Sequence, residues 1–156
     1  MFYTRTEKFV KDLLLSFNIR KPADLGIDKV ANALQVTVHL WEFGSEAICR
    51  NGKYIIFLNE QKNERVQWQE FTHEVGHILW HVGRQELLPR SFMELQEWQA
   101  NYFSFHLCIP TFMLEDNTLK MTPYKLMELF NVEYAFACKR MGMLENKRGI
   151  YRSNLY

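Results

Sequence analysis

The sequence contains no long apolar run and no export signal. No stretch approaches the about 18 apolar residues that mark a membrane-spanning helix, and the triplet Leu13-Leu14-Leu15 is too short for the core of a signal peptide. It is also flanked by the polar residues Lys11, Asp12 and Ser16. We therefore expect no membrane insertion and a cytoplasmic location.

Cysteine is scarce, and charges of the two signs nearly cancel. Cys49, Cys108 and Cys138 are odd in number and form no Cys-x-x-Cys pair, which argues against a disulfide framework and indicates reduced, mostly buried thiols. A formal net charge of +1 gives no general attraction to nucleic acid or acidic surfaces. With 156 residues, 47% of them hydrophobic, the chain can bury one sizeable core, which predicts a single domain over 1–156.

The motif His73-Glu74-Val75-Gly76-His77 is the first candidate for a chemical site. On an α-helix its two histidines project from one face about 6 Å apart along the axis, so both rings can reach one metal ion. Glu74 can then lie beside the metal's water, where a general base belongs. A neighbouring apolar stripe predicts that the histidines border the core; it consists of Phe71, Val75, Ile78, Leu79 and Val82. The alternative is two incidental histidines.

A catalytic zinc ion usually takes three protein ligands, so a third must be found. His81 lies on the same face but about 12 Å along the axis from His73, which indicates a surface or supporting role. A second predicted helix, 91–110, offers Glu94 and Glu97. Because Ser91 and Glu94 form a capping-box pattern, we assign Glu94 to the helix start and predict Glu97 as the ligand.

Two more polar residues on this helix bear on the site. Asn101 lies four residues after Glu97 on the same face, so it should bond the ligand carboxylate or the first helix. His106 lies nine residues after Glu97, about 180° around the helix, and should face away from the metal. An ordinary solvated carboxylate is the alternative for Glu97.

The segments before the motif predict helices followed by a sheet. Thr4 and Glu7 mark a capping box before an amphipathic helix, whose apolar face we assign to the core rather than to a membrane or partner; a short helix at 28–34 follows. From Val36 the apolar period changes to two, and Asn51-Gly52 between two strand-like runs predicts a hairpin. We expect a small antiparallel sheet of about three strands, with His39 on its surface. Its edge could receive an extended substrate or simply shield the core.

The segments after the motif predict a loop and further helices. The loop at 83–90 joins the two ligand-bearing helices and should lie near the cleft.

Thr122-Pro123 marks a helix start, and 132–141 predicts another helix, so the pair resembles a helix-turn-helix unit. We favour packing or partner docking over DNA contact, because the second helix has few side chains that read bases. The tail after Gly142 is expected to be partly disordered. Several basic residues in this region favour DNA contact: Lys139, Arg140, Lys147, Arg148 and Arg152.

The two motifs together resemble the ImmA/IrrE family of metallopeptidases, which carries an H-E-L-G-H-x-L helix and a downstream E-x-x-A-N-x-F-A-x-x-L-L-M-P helix. The matching segments here are 73–79 and 97–110. This chain has Val75 for the usual Leu, Ser104 for Ala, and Cys108-Ile109 for Leu-Met, changes that touch no ligand. The resemblance extends from about Ile27 onward, more loosely outside the motifs.

The resemblance implies an α+β, single zincin-like domain, with the small sheet packed on the H-E-x-x-H helix and additional C-terminal helices. The catalytic core would span about 1–118 and the helical extension about 119–156. It implies one Zn²⁺ per chain, held by His73, His77 and Glu97, with Glu74 as the catalytic base. Manganese or iron would also suit this ligand set.

Members of the family that this chain resembles are commonly encoded in phages, mobile elements or stress-response systems. Several of them cleave a helix-turn-helix repressor. The resemblance therefore implies a site-specific anti-repressor endopeptidase whose partner is such a repressor. We do not expect direct nucleic-acid binding. Two alternatives stay open: a non-catalytic zinc-containing regulatory or DNA-binding protein, and a broad housekeeping peptidase.

Overall fold

The computed structural model of the chain describes residues 3–81, 88–114 and 121–153, with side chains up to residue 147. These ranges form the predicted α+β fold. The helices are α1 Arg5–Ser16, α2 Ile27–Leu34, α3 Glu64–Trp80, α4 Arg90–Cys108, α5 Pro123–Phe130 and α6 Tyr134–Ser153. The strands are β1 Thr37–Trp41, β2 Glu46–Arg50 and β3 Lys53–Asn59, and 3₁₀ turns occupy Pro22–Asp24 and Thr111–Met113.

Local capping signals account for the starts of α1, α3 and α5. The capping box before α1 is confirmed, because Thr4 Oγ1 accepts from the Glu7 N–H at 3.2 Å and Glu7 Oε2 accepts from the Thr4 N–H at 2.7 Å. Asn63 caps α3, and Thr122 caps α5 with proline at its first position. These bonds satisfy N–H groups that would otherwise have no partner in the helix.

The predicted capping box before α4 is wrong. Helix α4 begins at Arg90 after Pro89, and no side chain caps it. Ser91 therefore already lies inside the helix and cannot occupy the cap position. The Glu94 side chain instead pairs with Arg90 one turn earlier, with 2.9 Å between Oε1 and Nε.

The sheet is mixed, which corrects the predicted antiparallel sheet. The hairpin from β2 to β3 is confirmed, with Asn51 and Gly52 in the left-handed region at φ 53° and 74°. However, the strand order is β1-β3-β2, and β1 pairs parallel with β3. The chain reverses direction after β1 and again at the hairpin, so β3 returns in the direction of β1. It takes the central position because Ile56 and Leu58 are fully buried.

Helices α3 and α4 pack against each other at very close range. A Cβ on Gly76 would lie 3.1 Å from the Phe103 ring and 3.2 Å from Ala100 Cα. Only glycine therefore permits this approach without displacement. The contact fixes the spacing between the helices that carry the two sequence motifs.

Helix α1 contributes its apolar face to the core, as predicted. Val10 and Leu14 are buried, and the Phe9 ring lies 6.0 Å from the Trp80 ring at the end of α3. Among the described helices, none combines the length and the apolar character that crossing a bilayer requires.

The C-terminal helices are joined to the core by buried polar contacts. Arg140 is 1% exposed and donates to the Ile109 carbonyl at 3.1 Å and to Thr111 Oγ1 at 2.8 Å. Lys147 donates to Glu7 at 2.6 Å. Two of the basic residues that favoured DNA contact are therefore engaged inside the fold, which supports packing instead. Helix α6 also continues to Ser153, so the expected disorder after Gly142 is not found over 143–153.

The three cysteines are free thiols, as predicted, but they are not mostly buried. Cys108 is buried, with 3.1 Å between its Sγ and Thr72 Oγ1. Cys138 is half-buried, and Cys49 is exposed on the edge strand β2.

Candidate metal centre

Helix α3 presents His73 and His77 at the margin of the core. Its inner face buries Phe71 and Val75 completely, while both histidine side chains stay partly accessible. This is the placement that the apolar stripe predicts. The helix ends at Trp80, before the predicted end at Gly83. Val82 of the predicted apolar stripe and residues 83–87 of the predicted loop lie outside the described residues.

Glu97 on α4 faces the two histidines. Its Oε2 lies 3.2 Å from His73 Nε2, its Oε1 lies 3.2 Å from His77 Nε2, and the two Nε2 atoms are 3.0 Å apart. In a tetrahedral site with metal–ligand distances of about 2.0–2.1 Å, neighbouring ligand atoms lie about 3.3 Å apart. The distance between the two imidazole nitrogens is close to this spacing, and each nitrogen lies 3.2 Å from a different oxygen of Glu97, so the three side chains converge closely enough to hold one metal ion.

The donor set suits a divalent transition metal. Two imidazoles and one carboxylate are ligands of zinc at catalytic sites, and manganese or iron accept the same set. Burial, together with the neighbouring His73, lowers the pKa of His77 to about 4, although the Glu97 carboxylate opposes this. Its ring is therefore neutral at pH 7, and the neutral ring is the form that binds metals.

Each histidine has a hydrogen-bond partner for its second ring nitrogen. His73 Nδ1 lies 3.0 Å from Asn101 Oδ1, so Asn101 contacts α3, the helix of the histidine motif, as predicted. His77 Nδ1 lies 2.9 Å from His81 Nδ1, and His81 Nε2 lies 3.0 Å from Gln99 Oε1. His81 therefore contacts the His77 ring nitrogen that faces away from Glu97, and it does not belong to the three converging side chains.

Glu74 lies beside this cluster in a nearly closed environment. It is 7% exposed, and Ser45 Oγ donates to its Oε1 at 3.1 Å. Burial raises the pKa of Glu74 to about 7; the hydrogen bond from Ser45 opposes this, and the nearby Glu97 carboxylate adds to it. A carboxyl group with this pKa can both accept and release a proton near neutrality.

The loop between β1 and β2 supplies the contact to Glu74. Trp41 Nε1 donates to the Gly44 carbonyl at 2.8 Å, which holds the loop, and the Ala47 N–H at the start of β2 also bonds Glu74. Sequence reasoning missed Ser45, because it lies 29 positions from Glu74 and belongs to no motif.

The other two histidines lie apart from the cluster, as predicted. His39 is exposed on β1, with its ring 5.7 Å from the Phe57 ring. His106 is buried, and neither ring nitrogen has a hydrogen-bond partner among the described residues. Burial and the charge of Arg140 lower the pKa of His106 to about 3, so it is a neutral core residue at pH 7.

Comparison with known proteins identifies relatives of the chain and its family. The chain is 35% identical over 151 residues to the phage-like element PBSX protein XkdA of Bacillus subtilis (strain 168), covering 94% of this chain and 76% of XkdA. It is 32% identical over 153 residues to the uncharacterized protein YqaB of the same strain, covering 94% of this chain and 89% of YqaB. The family model described as the IrrE N-terminal-like domain matches residues 31–142. The predicted resemblance is thereby confirmed, and the chain belongs to the Peptidase_M78 family, which is defined by the IrrE N-terminal-like domain.

Proposed function

We propose that the protein is a zinc-dependent endopeptidase that cleaves a helix-turn-helix repressor at one site. The observation that carries the peptidase activity is the position of Glu74. Its buried carboxyl group, with a pKa of about 7, lies next to three side chains whose ligand atoms converge within 4.8 Å of one another. A purely structural metal site has no need of such a group.

In this mechanism His73, His77 and Glu97 would hold the zinc ion. Bound zinc would polarise the scissile carbonyl and make water a stronger nucleophile at neutral pH. Glu74 takes the proton of the attacking water and then delivers a proton to the leaving amine. Ser45 Oγ and the Ala47 N–H keep the carboxyl group oriented during both transfers.

The edge strand β2 is the proposed docking place for the substrate backbone. It pairs with β3 on one side only among the described strands, and the N–H of its second residue, Ala47, bonds Glu74. An extended peptide added along the free edge would bring its carbonyl groups past the base and the metal. If instead the strand only shields the core, substitutions at its outer edge would leave the KM for peptides unchanged.

The proposed substrate class rests on the family resemblance and on the relatives. XkdA is named as a protein of a phage-like element. The family resemblance implies cleavage of a helix-turn-helix repressor, which would release the genes that it silences. Specificity for one repressor predicts that an unstructured general substrate such as casein stays intact. A broad housekeeping peptidase would degrade it.

The test is to incubate the zinc-loaded protein with purified repressors of phage-like elements and with casein, and to identify fragments by mass spectrometry. One cut in one repressor, with casein intact, is the expected result. Glu74→Gln should slow cleavage about 10²- to 10⁴-fold while zinc stays bound, because it removes the proton acceptor and no ligand. Normal cleavage by Glu74→Gln would refute the role of Glu74.

A non-catalytic zinc-containing regulatory or DNA-binding protein is the competing function. It predicts that neither repressors nor casein are cut at any zinc concentration. The engagement of Arg140 and Lys147 in internal hydrogen bonds speaks against a DNA surface on α6.

A further inference from the structure

His81 bridges the two helices that carry the ligand-type side chains. Its Nδ1 lies 2.9 Å from His77 Nδ1 on α3, and its Nε2 lies 3.0 Å from Gln99 Oε1 on α4. Although α3 ends at Trp80, the His81 N–H still donates to the His77 carbonyl at 3.0 Å. His81 is thus held by hydrogen bonds at both ring nitrogens and at its backbone N–H.

The donor and acceptor in each of these hydrogen bonds can be assigned by starting from Gln99. A carboxamide oxygen only accepts, so His81 Nε2 must be the donor toward Gln99 Oε1. In a neutral ring His81 Nδ1 then carries the lone pair and accepts from His77 Nδ1–H. His77 Nε2 is left with its lone pair, and this atom is the one that faces Glu97.

We propose that His81 and Gln99 act as a positioning relay that fixes the tautomer and orientation of His77 and ties α3 to α4 at the metal centre. The inference rests on the metal centre of the proposed function. The site is then ordered before the metal arrives, and less binding free energy is lost in orienting His77. Outer hydrogen-bond partners of this kind typically contribute about 10- to 100-fold to metal affinity.

The test is zinc affinity, measured by competition with a chromophoric chelator on the purified full chain. His81→Phe keeps a ring but removes both nitrogens, and we expect zinc to bind about 10- to 100-fold more weakly. Gln99→Leu should also weaken zinc binding. The double variant should bind no more weakly than His81→Phe alone, because both changes interrupt the same series of hydrogen bonds. His81→Gln restores one donor and one acceptor and should recover part of the affinity.

His39→Phe is the matched control, because it makes the same change at an exposed histidine outside the cluster. It should leave zinc affinity unchanged. Circular dichroism and thermal unfolding of the metal-free variants test folding; if His81→Phe fails to fold, Gln99→Leu and His81→Gln carry the test. The absorption spectrum of the cobalt(II)-substituted protein should keep its four-coordinate pattern in Gln99→Leu.

Several outcomes separate the relay from the proposed function. We expect an affinity loss of about 10- to 100-fold. If folded His81→Phe binds zinc within about twofold of the wild type, the relay is wrong, while the metal centre stands. If His81→Phe weakens binding but Gln99→Leu has no effect, His81 acts without Gln99, which also overturns the relay. If the wild type takes up neither zinc nor cobalt, the metal centre itself fails, and the peptidase function fails with it.

Discussion

Replacing Lys147 by methionine should destabilise the fold by about 2–3 kcal/mol at pH 7. Lys147 Nζ lies 2.6 Å from Glu7 Oε2, and the Glu7 side chain is almost fully buried. Methionine keeps most of the apolar volume of lysine and removes the charge together with the hydrogen-bond donors. Glu7 would then be a buried carboxylate without its closest cation.

Two estimates give this magnitude. Breaking a buried ion pair by removing one partner costs about 3–5 kcal/mol, and the lower figure applies because the Lys147 side chain is 22% exposed. Burial alone would raise the pKa of Glu7, but bonds from Lys147, Thr4 and Thr111 lower it from 4.5 to about 2. A change of that size corresponds to about 3 kcal/mol, shared among these partners.

The assay is urea unfolding of metal-free protein at several pH values. Because the pKa of Glu7 is depressed in the folded state, its stabilising effect is fully present above pH 4.5 and is lost as the pH falls toward about 2. The difference between the wild type and Lys147→Met should therefore shrink over this interval. Stability at pH 7 within about 0.5 kcal/mol of the wild type would refute the reasoning, since that is the range of an ordinary surface pair.

Lys29→Met provides the matched control for this experiment. Lys29 also pairs with a carboxylate, 3.5 Å from Asp24, but its side chain is 47% exposed. Solvent screening limits such a pair, so the same substitution should cost less than about 0.5 kcal/mol.

Three further substitutions test the site. Glu97→Ala should abolish stoichiometric zinc binding in elemental analysis, whereas Glu94→Ala should keep it; equal zinc contents would contradict the ligand assignment. Gly76→Ala should destabilise the fold by about 1–3 kcal/mol in urea unfolding because its Cβ would meet α4 at 3.1 Å, while Gly142→Ala, with open space around it, should be neutral or stabilising. Ser45→Ala should lower kcat with little change in KM, and Ser45→Thr should recover activity; unchanged kcat would show that the bond to Glu74 is dispensable.

Features that depend on near neighbours in the sequence were predictable. The capping box at Thr4 and the hairpin at Asn51-Gly52 involve residues no more than three positions apart, so local stereochemistry determines them. The spacing of His73 and His77 likewise follows from the geometry of one helix turn. The proximity of Glu97 to the two histidines was predictable only because its own helix carries a second motif.

Features set by packing between distant segments were not predictable. The parallel pairing of β1 with β3 depends on which strand takes the buried centre of the sheet, and strand periodicity carries no information about order. The contact from Ser45 to Glu74 is formed by a loop that belongs to neither of the two sequence motifs. The burial of Arg140 was missed because a basic residue on an amphipathic helix is normally exposed.

The buried polar network also bears on where the functional unit begins and ends. The family match covers residues 31–142, whereas Glu7 and Lys147 lie on either side of it and pair with each other. Glu7 also accepts from Thr111 Oγ1, which in turn accepts from Arg140, and both of these residues lie inside the match. A fragment trimmed to the matched range would keep the buried Arg140 guanidinium and lose the carboxylate that offsets its charge. We therefore propose that α1 and α6 belong to the same folding unit as the metal centre, so that activity should be assayed on the whole chain.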